Sequence, residues 1–184
     1  ERRKLVKHYG AEVILIHDDG NIGECIEECL QTALNMQKEN PNVFVPQQFE
    51  NLANPQAHYK GTAREIVEQL GKKIDIFVSG IGSGGTLQGI ASYLLEQNPN
   101  CKIVAVEPKN VSALLGHEPG LHQIQGIGDG FIPEVLDTGI ITDIVEVTDE
   151  DAINTARELA RVQGFLVGTS SGANVWAAMQ MAKK

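Results

Sequence analysis

Short apolar runs alternate with amphipathic segments along most of the chain. Six runs rich in β-branched and other apolar residues predict buried strands, at 11–16, 43–45, 74–78, 103–106, 144–147 and 165–167. Between them, apolar residues recur at helical spacing and predict helices over 1–9, 22–38, 54–70, 87–97 and 148–164, with a last helix following residues 168–172. This alternation predicts an α/β fold in which helices cover both faces of a mostly parallel sheet.

Residues at the predicted helix ends agree with these boundaries. Gly71 and Gly164 stand where a C′ glycine closes a helix, and Thr148 opens a capping box. Asn54 and Pro55 are expected as the N-cap and first residue of the helix over 54–70. Residues 18–21, Asp-Asp-Gly-Asn, predict a turn before the helix over 22–38.

The segment Ser79-Gly-Ile-Gly-Ser-Gly-Gly-Thr86 joins a predicted strand to a predicted helix. The first turn of a helix has unpaired N–H groups, its dipole favours negative charge, and glycines let an anion approach closely. No residue of this loop is charged. The loop therefore predicts a phosphate site built from amides and hydroxyls, in which a bulky side chain at Gly84 is expected to occupy the space of the anion.

The residues of this loop leave more than one phosphate ligand open. A nucleotide P-loop is excluded, because that motif needs a lysine before its final serine or threonine. Gly80, Gly82 and Gly85 match the spacing of a dinucleotide fingerprint, and Glu107 ends the next apolar run where that fingerprint needs an acidic residue. The compact phosphate of pyridoxal 5′-phosphate suits the same loop.

The segment from 108 to 133 is irregular and rich in glycine, and a loop of this length inside a compact domain is usually functional. Ligands bind beyond the carboxyl ends of parallel strands. The three glycine-rich segments 79–86, 126–130 and 168–172 are therefore expected to converge on one ligand.

Composition narrows the class of protein. The 184 residues carry 15 Lys and Arg against 24 Asp and Glu, a formal charge of −9, which argues against nucleic acid or an anionic membrane surface as partner. No apolar run has the length of a membrane span, and the charged start does not resemble a signal peptide. Three cysteines, an odd number, favour a reducing, cytoplasmic compartment.

Several ordered segments resemble the cysteine synthase (O-acetylserine sulfhydrylase) family of fold-type II pyridoxal-phosphate enzymes. They extend over nearly the whole chain and occur in the family's order: Gln47–Phe49 with Ala53–Pro55, Ser79–Thr86, Ser112–Leu115 with Glu118–Gly120, Ile124–Gly128 with Gly130–Pro133, and Gly168–Ala173.

The resemblance implies roles for individual residues. The cofactor is pyridoxal 5′-phosphate, and its phosphate would be held by Gly82, Ser83, Gly84, Gly85 and Thr86. Ser170 would hydrogen-bond the pyridine nitrogen, although taken alone it is an ordinary N-cap for the last helix. Gln48 would meet the substrate carboxylate and Gly126 would line the substrate pocket. No metal is implied.

The chain departs from the family's pattern in two respects: a substitution expected to affect surface or partner contacts more than chemistry, and the absence of the catalytic lysine. Asp129 stands where the family usually has alanine. The family's Schiff-base lysine, in a Ser-x-Lys-x-Arg motif that precedes the region resembled here, has no counterpart in this chain. That lysine is both covalent anchor and proton carrier, so no catalytic residue is assigned and the chain alone is expected to be inactive.

The resemblance therefore implies a truncated cofactor domain of cysteine synthase. Residues 1–45 would be the C-terminal remnant of the small domain, and 46–184 the incomplete large cofactor-binding domain. The parent would be a homodimer that makes cysteine from O-acetylserine and sulfide by β-replacement, and that docks a serine acetyltransferase tail. A cystathionine β-synthase-like enzyme and an NAD-binding domain are the alternatives.

Overall fold

The computed structural model describes residues 2–17, 22–117 and 120–184. It divides into two compact units, Glu1–Val45 and Pro46–Lys184. The turn predicted at 18–21 lies outside the described residues, as do Glu118 and Pro119 of the resembling segment. In the described ranges, no helix combines the length and the apolar character needed to cross a membrane.

The first unit contains helices α1 (Arg2–His8) and α2 (Ile22–Glu39). Gly10 follows α1 with a φ of 87°, the left-handed conformation of a helix-closing glycine. The strands predicted at 11–16 and 43–45 are wrong, because neither segment is paired. Ile14 and Leu15 are 54% and 62% exposed, so an apolar run without a neighbouring strand in the described part of this unit stays outside any sheet.

The second unit is built on a three-stranded parallel sheet in the order β1-β2-β3. The strands are β1 (Ile76–Gly80), β2 (Lys102–Pro108) and β3 (Asp143–Val147). In the register of the ladder, Gly80 pairs with Val106, and Pro108 pairs with Val147. The central strand is buried from residue 103 to residue 108, as expected where both faces of a parallel sheet are covered.

Helices pack on both faces of this sheet, which confirms the predicted fold class. They are α3 (Ala53–Ala57), α4 (Ala63–Leu70), α5 (Gly85–Gln97), α6 (Asp149–Glu158) and α7 (Thr169–Met181). A π-helical turn, His58–Thr62, joins α3 to α4, and another, Leu159–Gln163, extends α6.

Alternate residues of β2 belong to two apolar clusters. Ile103 and Ala105 pack in a cluster with Leu87, Ile90 and Leu94 of α5. Val106 packs in a second cluster with Val147, Ala152 of α6, and Ala173 and Ala177 of α7. The side chains of a strand alternate between faces, so this division places α5 on one side of the sheet and α6 with α7 on the other.

Three of the predicted caps of the second unit are confirmed. The Thr148 hydroxyl accepts a hydrogen bond from the Asp151 N–H at the start of α6. Gly71 and Gly164 close their helices with φ values of 58° and 75°. The strand predicted at 165–167 is wrong: the segment is unpaired, and Leu166 is 93% exposed.

Candidate cofactor-binding site

The glycine loop leads from β1 into the N-terminus of α5. Gly84 is the N-cap of α5 and has a φ of 80°, which side chains disfavour. The first main-chain hydrogen bond of the helix runs from the Gln88 N–H to the Gly84 carbonyl, over 2.9 Å. The N–H groups of Gly85, Thr86 and Leu87 therefore have no partner within the helix and point out of its N-terminal end.

The loop over 126–130 is hydrogen-bonded to the glycine loop, so two of the three segments expected to converge on one ligand lie together. The Gly128 N–H donates to the Ile81 carbonyl over 2.9 Å, and the Ile81 N–H donates to the Val106 carbonyl over 3.2 Å. A Cβ on Gly82 would lie 2.6 Å from the Gly126 carbonyl oxygen. Only glycine permits this close approach of the two backbones.

Asn54 is a site residue that sequence reasoning did not assign. Its side-chain amide donates to the Ser83 hydroxyl over 3.0 Å and to the Gln48 carbonyl over 2.7 Å. A Cβ on Gly85 would lie 2.0 Å from its Oδ1 atom, so the amide sits directly against the loop. An asparagine before a proline is also a common helix cap. The sequence therefore predicted a cap at Asn54 and not its contact with the glycine loop.

The N-cap predicted at Asn54 is accordingly wrong. Helix α3 begins at Ala53 with Leu52 as its N-cap, and the Asn51 side chain accepts the hydrogen bond of the Ala53 N–H over 2.9 Å. Asn54 therefore lies inside the first turn of α3, where its amide contacts the glycine loop.

His58 and Thr86 form a further contact between the helical segment and the loop. The His58 Nε2 atom lies 3.2 Å from the Thr86 hydroxyl, and its Nδ1 atom lies 3.0 Å from the Thr62 hydroxyl. The imidazole is thereby held in one orientation beside the first turn of α5.

Ser170 lies in the first turn of α7, and Gly168 is the N-cap of that helix. The capping role considered for Ser170 is therefore wrong, and within the described ranges its hydroxyl has no hydrogen-bond partner. Asn174, one turn further on, places its Oδ1 atom 3.2 Å from where a Cβ on Gly80 would stand. The first turns of α7 thus lie against the end of β1, near the glycine loop.

The third glycine-rich segment, 168–172, contacts the irregular segment 108–133 at a residue just before the 126–130 loop. The Thr169 hydroxyl donates to the Gln123 carbonyl over 3.4 Å. The Asn174 Oδ1 atom is buried and has no hydrogen-bond partner among the described residues, so an acceptor faces the end of β1 unused.

The two residues predicted to contact substrate lie on loops beside this cluster. Gln48 is exposed, and its carbonyl is tied to Asn54. The preceding residue, Gln47, has a φ of 50°, an uncommon conformation for a residue with a side chain. Gly126 is exposed, with a φ of 97°.

Glu107 serves the structure of the neighbouring loop. It is 3% exposed, and its Oε2 atom accepts hydrogen bonds from the Ser112 hydroxyl over 2.7 Å and the Leu114 N–H over 3.2 Å. Burial raises the pKa of this carboxyl, while the bonds from Ser112 and Leu114 act in the opposite direction. Because this carboxyl is buried and hydrogen-bonded within the protein, it is not available to bind a ribose hydroxyl. The NAD-binding alternative therefore lacks the acidic residue that its fingerprint requires.

Asp129 introduces a partly buried carboxyl beside the loops. Its Oδ2 atom lies 3.9 Å from where a Cβ on Gly82 would stand. Burial raises the pKa of the Asp129 carboxyl, and the neighbouring His122 acts in the opposite direction.

The glycine loop fits a phosphate group. The N-terminus of α5 offers unpaired N–H groups, the positions of Gly82 and Gly85 leave no room for a Cβ, and the Ser83 and Thr86 hydroxyls flank them. One sequence expectation about this loop is wrong. A Cβ on Gly84 would point at Leu136 and Pro133, 3.1 and 3.6 Å away, so a side chain there would enter the protein instead of the space of the anion.

Comparisons with known proteins also indicate a pyridoxal-phosphate enzyme. A model of the pyridoxal-phosphate dependent enzymes matches residues 1–184. A cysteine synthase of Staphylococcus aureus is 44% identical over 185 residues, which covers 100% of this chain and 58% of that protein. The chain thus spans somewhat more than half the length of the curated relatives it matches.

Solved structures agree with that result. A crystal structure of a cysteine synthase from Entamoeba histolytica has a TM-score of 0.87 and 39% identity, over 100% of this chain and 53% of that chain. An O-acetylserine dependent cystathionine β-synthase from Helicobacter pylori has a TM-score of 0.89 and 40% identity, over 99% of this chain and 58% of that chain. The family model matches the entire chain, and the loop at the N-terminus of α5 is suited to a phosphate. The chain therefore belongs to the family of pyridoxal-phosphate dependent enzymes.

Proposed function

We propose that this chain is the cofactor-domain portion of a cysteine synthase, an enzyme that makes cysteine from O-acetylserine and sulfide with pyridoxal 5′-phosphate. The observation that carries the proposal is the uncharged loop at the N-terminus of α5, with its unpaired N–H groups and its close contact with the 126–130 loop. When bound, the cofactor withdraws electrons from the substrate and so supports loss of acetate.

The residues of this chain have distinct parts in the proposal. Gly82, Ser83, Gly84, Gly85 and Thr86 hold the phosphate, and the free Ser170 hydroxyl meets the pyridine nitrogen. A neutral hydroxyl at that nitrogen need not protonate the ring, which suits elimination of a good leaving group. Gln48 and Gly126 receive the substrate beside the loop.

The proposal also includes the domain organisation, oligomeric state and cellular compartment of the whole protein. Residues 1–45 belong to the small domain and 46–184 to the large domain of a longer, cytoplasmic homodimer. This protein docks the tail of a serine acetyltransferase. The chain has no lysine in a Ser-x-Lys-x-Arg motif, and we therefore assign the Schiff base to a part of the protein outside it.

Cofactor binding is tested by pyridoxal phosphate absorbance in a protein that joins this chain to an N-terminal part carrying that lysine. The wild type is expected to be yellow and to change colour with O-acetylserine. Gly85→Ala is expected to lose most of its cofactor, because its Cβ would collide with Asn54. Gly61→Ala is the matched control, since a Cβ there meets nothing closer than 3.6 Å. A wild type that binds no cofactor would refute the proposal.

The sulfur substrate is tested separately. The Helicobacter pylori relative is named as an O-acetylserine dependent cystathionine β-synthase, which favours homocysteine with O-acetylserine as a second candidate pair. Product formation from O-acetylserine with sulfide, and with homocysteine, distinguishes the two. Turnover by the 184-residue chain alone would contradict our assignment of the Schiff base to another part of the protein.

A further inference from the structure

His122 closes the loop that carries Gly126. The Ile124 N–H donates to His122 Nδ1 over 3.1 Å, and His122 Nε2 lies 3.0 Å from the Gly128 carbonyl oxygen. The imidazole therefore bonds the main chain on both sides of Gly126. Ile124 and Ile127 are buried in the apolar cluster of α6 and α7, so the ring completes an anchorage that these two side chains begin.

These two bonds require the neutral form of the imidazole. A carbonyl oxygen only accepts hydrogen bonds, so Nε2 carries the hydrogen that His122 donates to Gly128. Nδ1 accepts from the Ile124 N–H and therefore carries no hydrogen. Protonation would add a hydrogen at Nδ1, and the bond from Ile124 would be lost because both nitrogens of a charged imidazole are donors.

The loop held by His122 joins two parts of the candidate site. On one side, the Gly128 N–H donates to the Ile81 carbonyl of the glycine loop over 2.9 Å. On the other side, the Thr169 hydroxyl at the start of α7 donates to the Gln123 carbonyl over 3.4 Å. Because His122 directly precedes Gln123 and bonds to Gly128, its ring sets the spacing between these two contacts.

We propose that His122 is a positioning residue, whose neutral imidazole holds the loop of Gly126 against the glycine loop and whose protonation weakens that attachment. The inference rests on the proposed function in so far as Gly126 lines the substrate pocket. Histidine is the side chain that ordinarily changes its charge between about pH 5 and pH 8. The loop is therefore expected to be firmly attached above this interval and more mobile below it.

The charged groups around the imidazole act in the direction of protonation. The Asp129 carboxyl of the same loop and His122 act on each other, and an ionised Asp129 favours the charged imidazole. At the start of α6, the Asp149 carboxylate accepts the N–H of the residue after His122 over 2.9 Å. Strand β2 contributes an uncharged residue: a Cβ on Gly128 would lie 2.6 Å from Pro108 Cγ and 3.1 Å from His122 Nε2.

Amide hydrogen exchange tests this role without catalysis. The sample is the cofactor-free protein that joins this chain to its N-terminal part. The quantity is the protection factor of the Ile124 amide, which is corrected for the intrinsic effect of pH on exchange. The wild type is expected to lose about tenfold of this protection between about pH 8 and about pH 5, as one hydrogen bond is lost. The Val104 amide of the central strand is the reference for global unfolding.

Variants of His122 separate the charge from the contact. His122→Gln keeps an acceptor and a donor but does not titrate, so its Ile124 protection should vary by less than about twofold over the same interval. His122→Leu loses both bonds and should show low protection at both pH values. His8→Gln, which removes an exposed histidine of α1, is the matched control and should resemble the wild type.

The outcomes distinguish this role from the proposed function. Equal Ile124 protection at the two pH values in the wild type would overturn the role of His122 and leave the proposed function standing. Equal protection in the wild type and His122→Leu at the higher pH would overturn it as well. A protein that binds no pyridoxal phosphate would refute the proposed function, and the exchange result would still decide whether His122 holds the loop.

A second measurement uses the cofactor-loaded protein. The KM for O-acetylserine is expected to rise about fivefold as the pH falls through the interval in which His122 is protonated, with a smaller change in kcat, because Gly126 lines the substrate pocket. His122→Gln should give a flatter profile of KM against pH than the wild type or His8→Gln. The same profile in all three proteins would overturn the proposal.

Discussion

The Asn54 amide and the Ser83 hydroxyl are joined by a hydrogen bond of 3.0 Å that links the start of a helix to the candidate phosphate loop. The same amide nitrogen donates to the Gln48 carbonyl, so one side chain orders both loops. Asn54 is thus a positioning residue: it holds the two loops on which we place the cofactor phosphate and the substrate carboxylate.

Replacing Asn54 with alanine is expected to weaken cofactor binding and raise the KM for O-acetylserine together, because both loops lose the same donor. A loss of about tenfold in cofactor affinity corresponds to one hydrogen bond near a charged group. Cofactor titration and initial rates measure the two effects. Asn100→Ala, at an exposed turn, is the control, and a change in cofactor affinity without a change in KM would contradict the coupling.

Gly84→Ala is expected to destabilise the fold by about 1–3 kcal/mol, because its φ of 80° strains any side chain. The new Cβ would also press on Leu136 at 3.1 Å. Urea unfolding measures the loss. Gly61→Ala provides the reference, and a Gly84→Ala variant as stable as that reference would show that the loop relaxes freely.

Glu107 is expected to make stability depend on pH. Its raised pKa means that the folded state holds the proton more tightly than the unfolded chain. Stability should therefore fall as the pH rises from the ordinary pKa of a glutamate through the raised one, and Glu107→Gln should remove that part of the slope. Unfolding at a series of pH values tests this, with Glu134→Gln as a solvent-exposed control. The same slope in wild type and Glu107→Gln would be inconsistent with it.

Gly172→Ala is expected to force α6 and α7 apart. A Cβ on Gly172 would lie 2.1 Å from the Ala152 carbonyl oxygen. The cost is about 1–3 kcal/mol of stability, with displacement of the nearby Ser170. Thermal unfolding and cofactor absorbance measure the two consequences. Gly168→Ala, where a Cβ meets nothing within 4 Å, should be close to the wild type.

The sequence correctly predicted those strands whose apolar pattern coincides with a neighbouring strand to pair with. The three strands of the sheet were found within a few residues, and the loop after β1 met the helix as expected. The segment 165–167 has an equally apolar pattern yet is unpaired, because pairing needs a neighbour that a one-dimensional pattern does not reveal. For the same reason the sequence predicts a cap at Asn54 and does not reveal its partners, which lie 6 and 29 residues away.

Phe165 and Leu166 are 62% and 93% exposed in an unpaired segment. The Phe165 N–H donates to the Leu159 carbonyl, but the other main-chain groups of the segment can pair with a strand from another molecule, and its apolar side chains favour the contact. Preparations of the 184-residue chain by itself should consequently become turbid as protein concentration rises, and a lysine at position 166 should delay that turbidity.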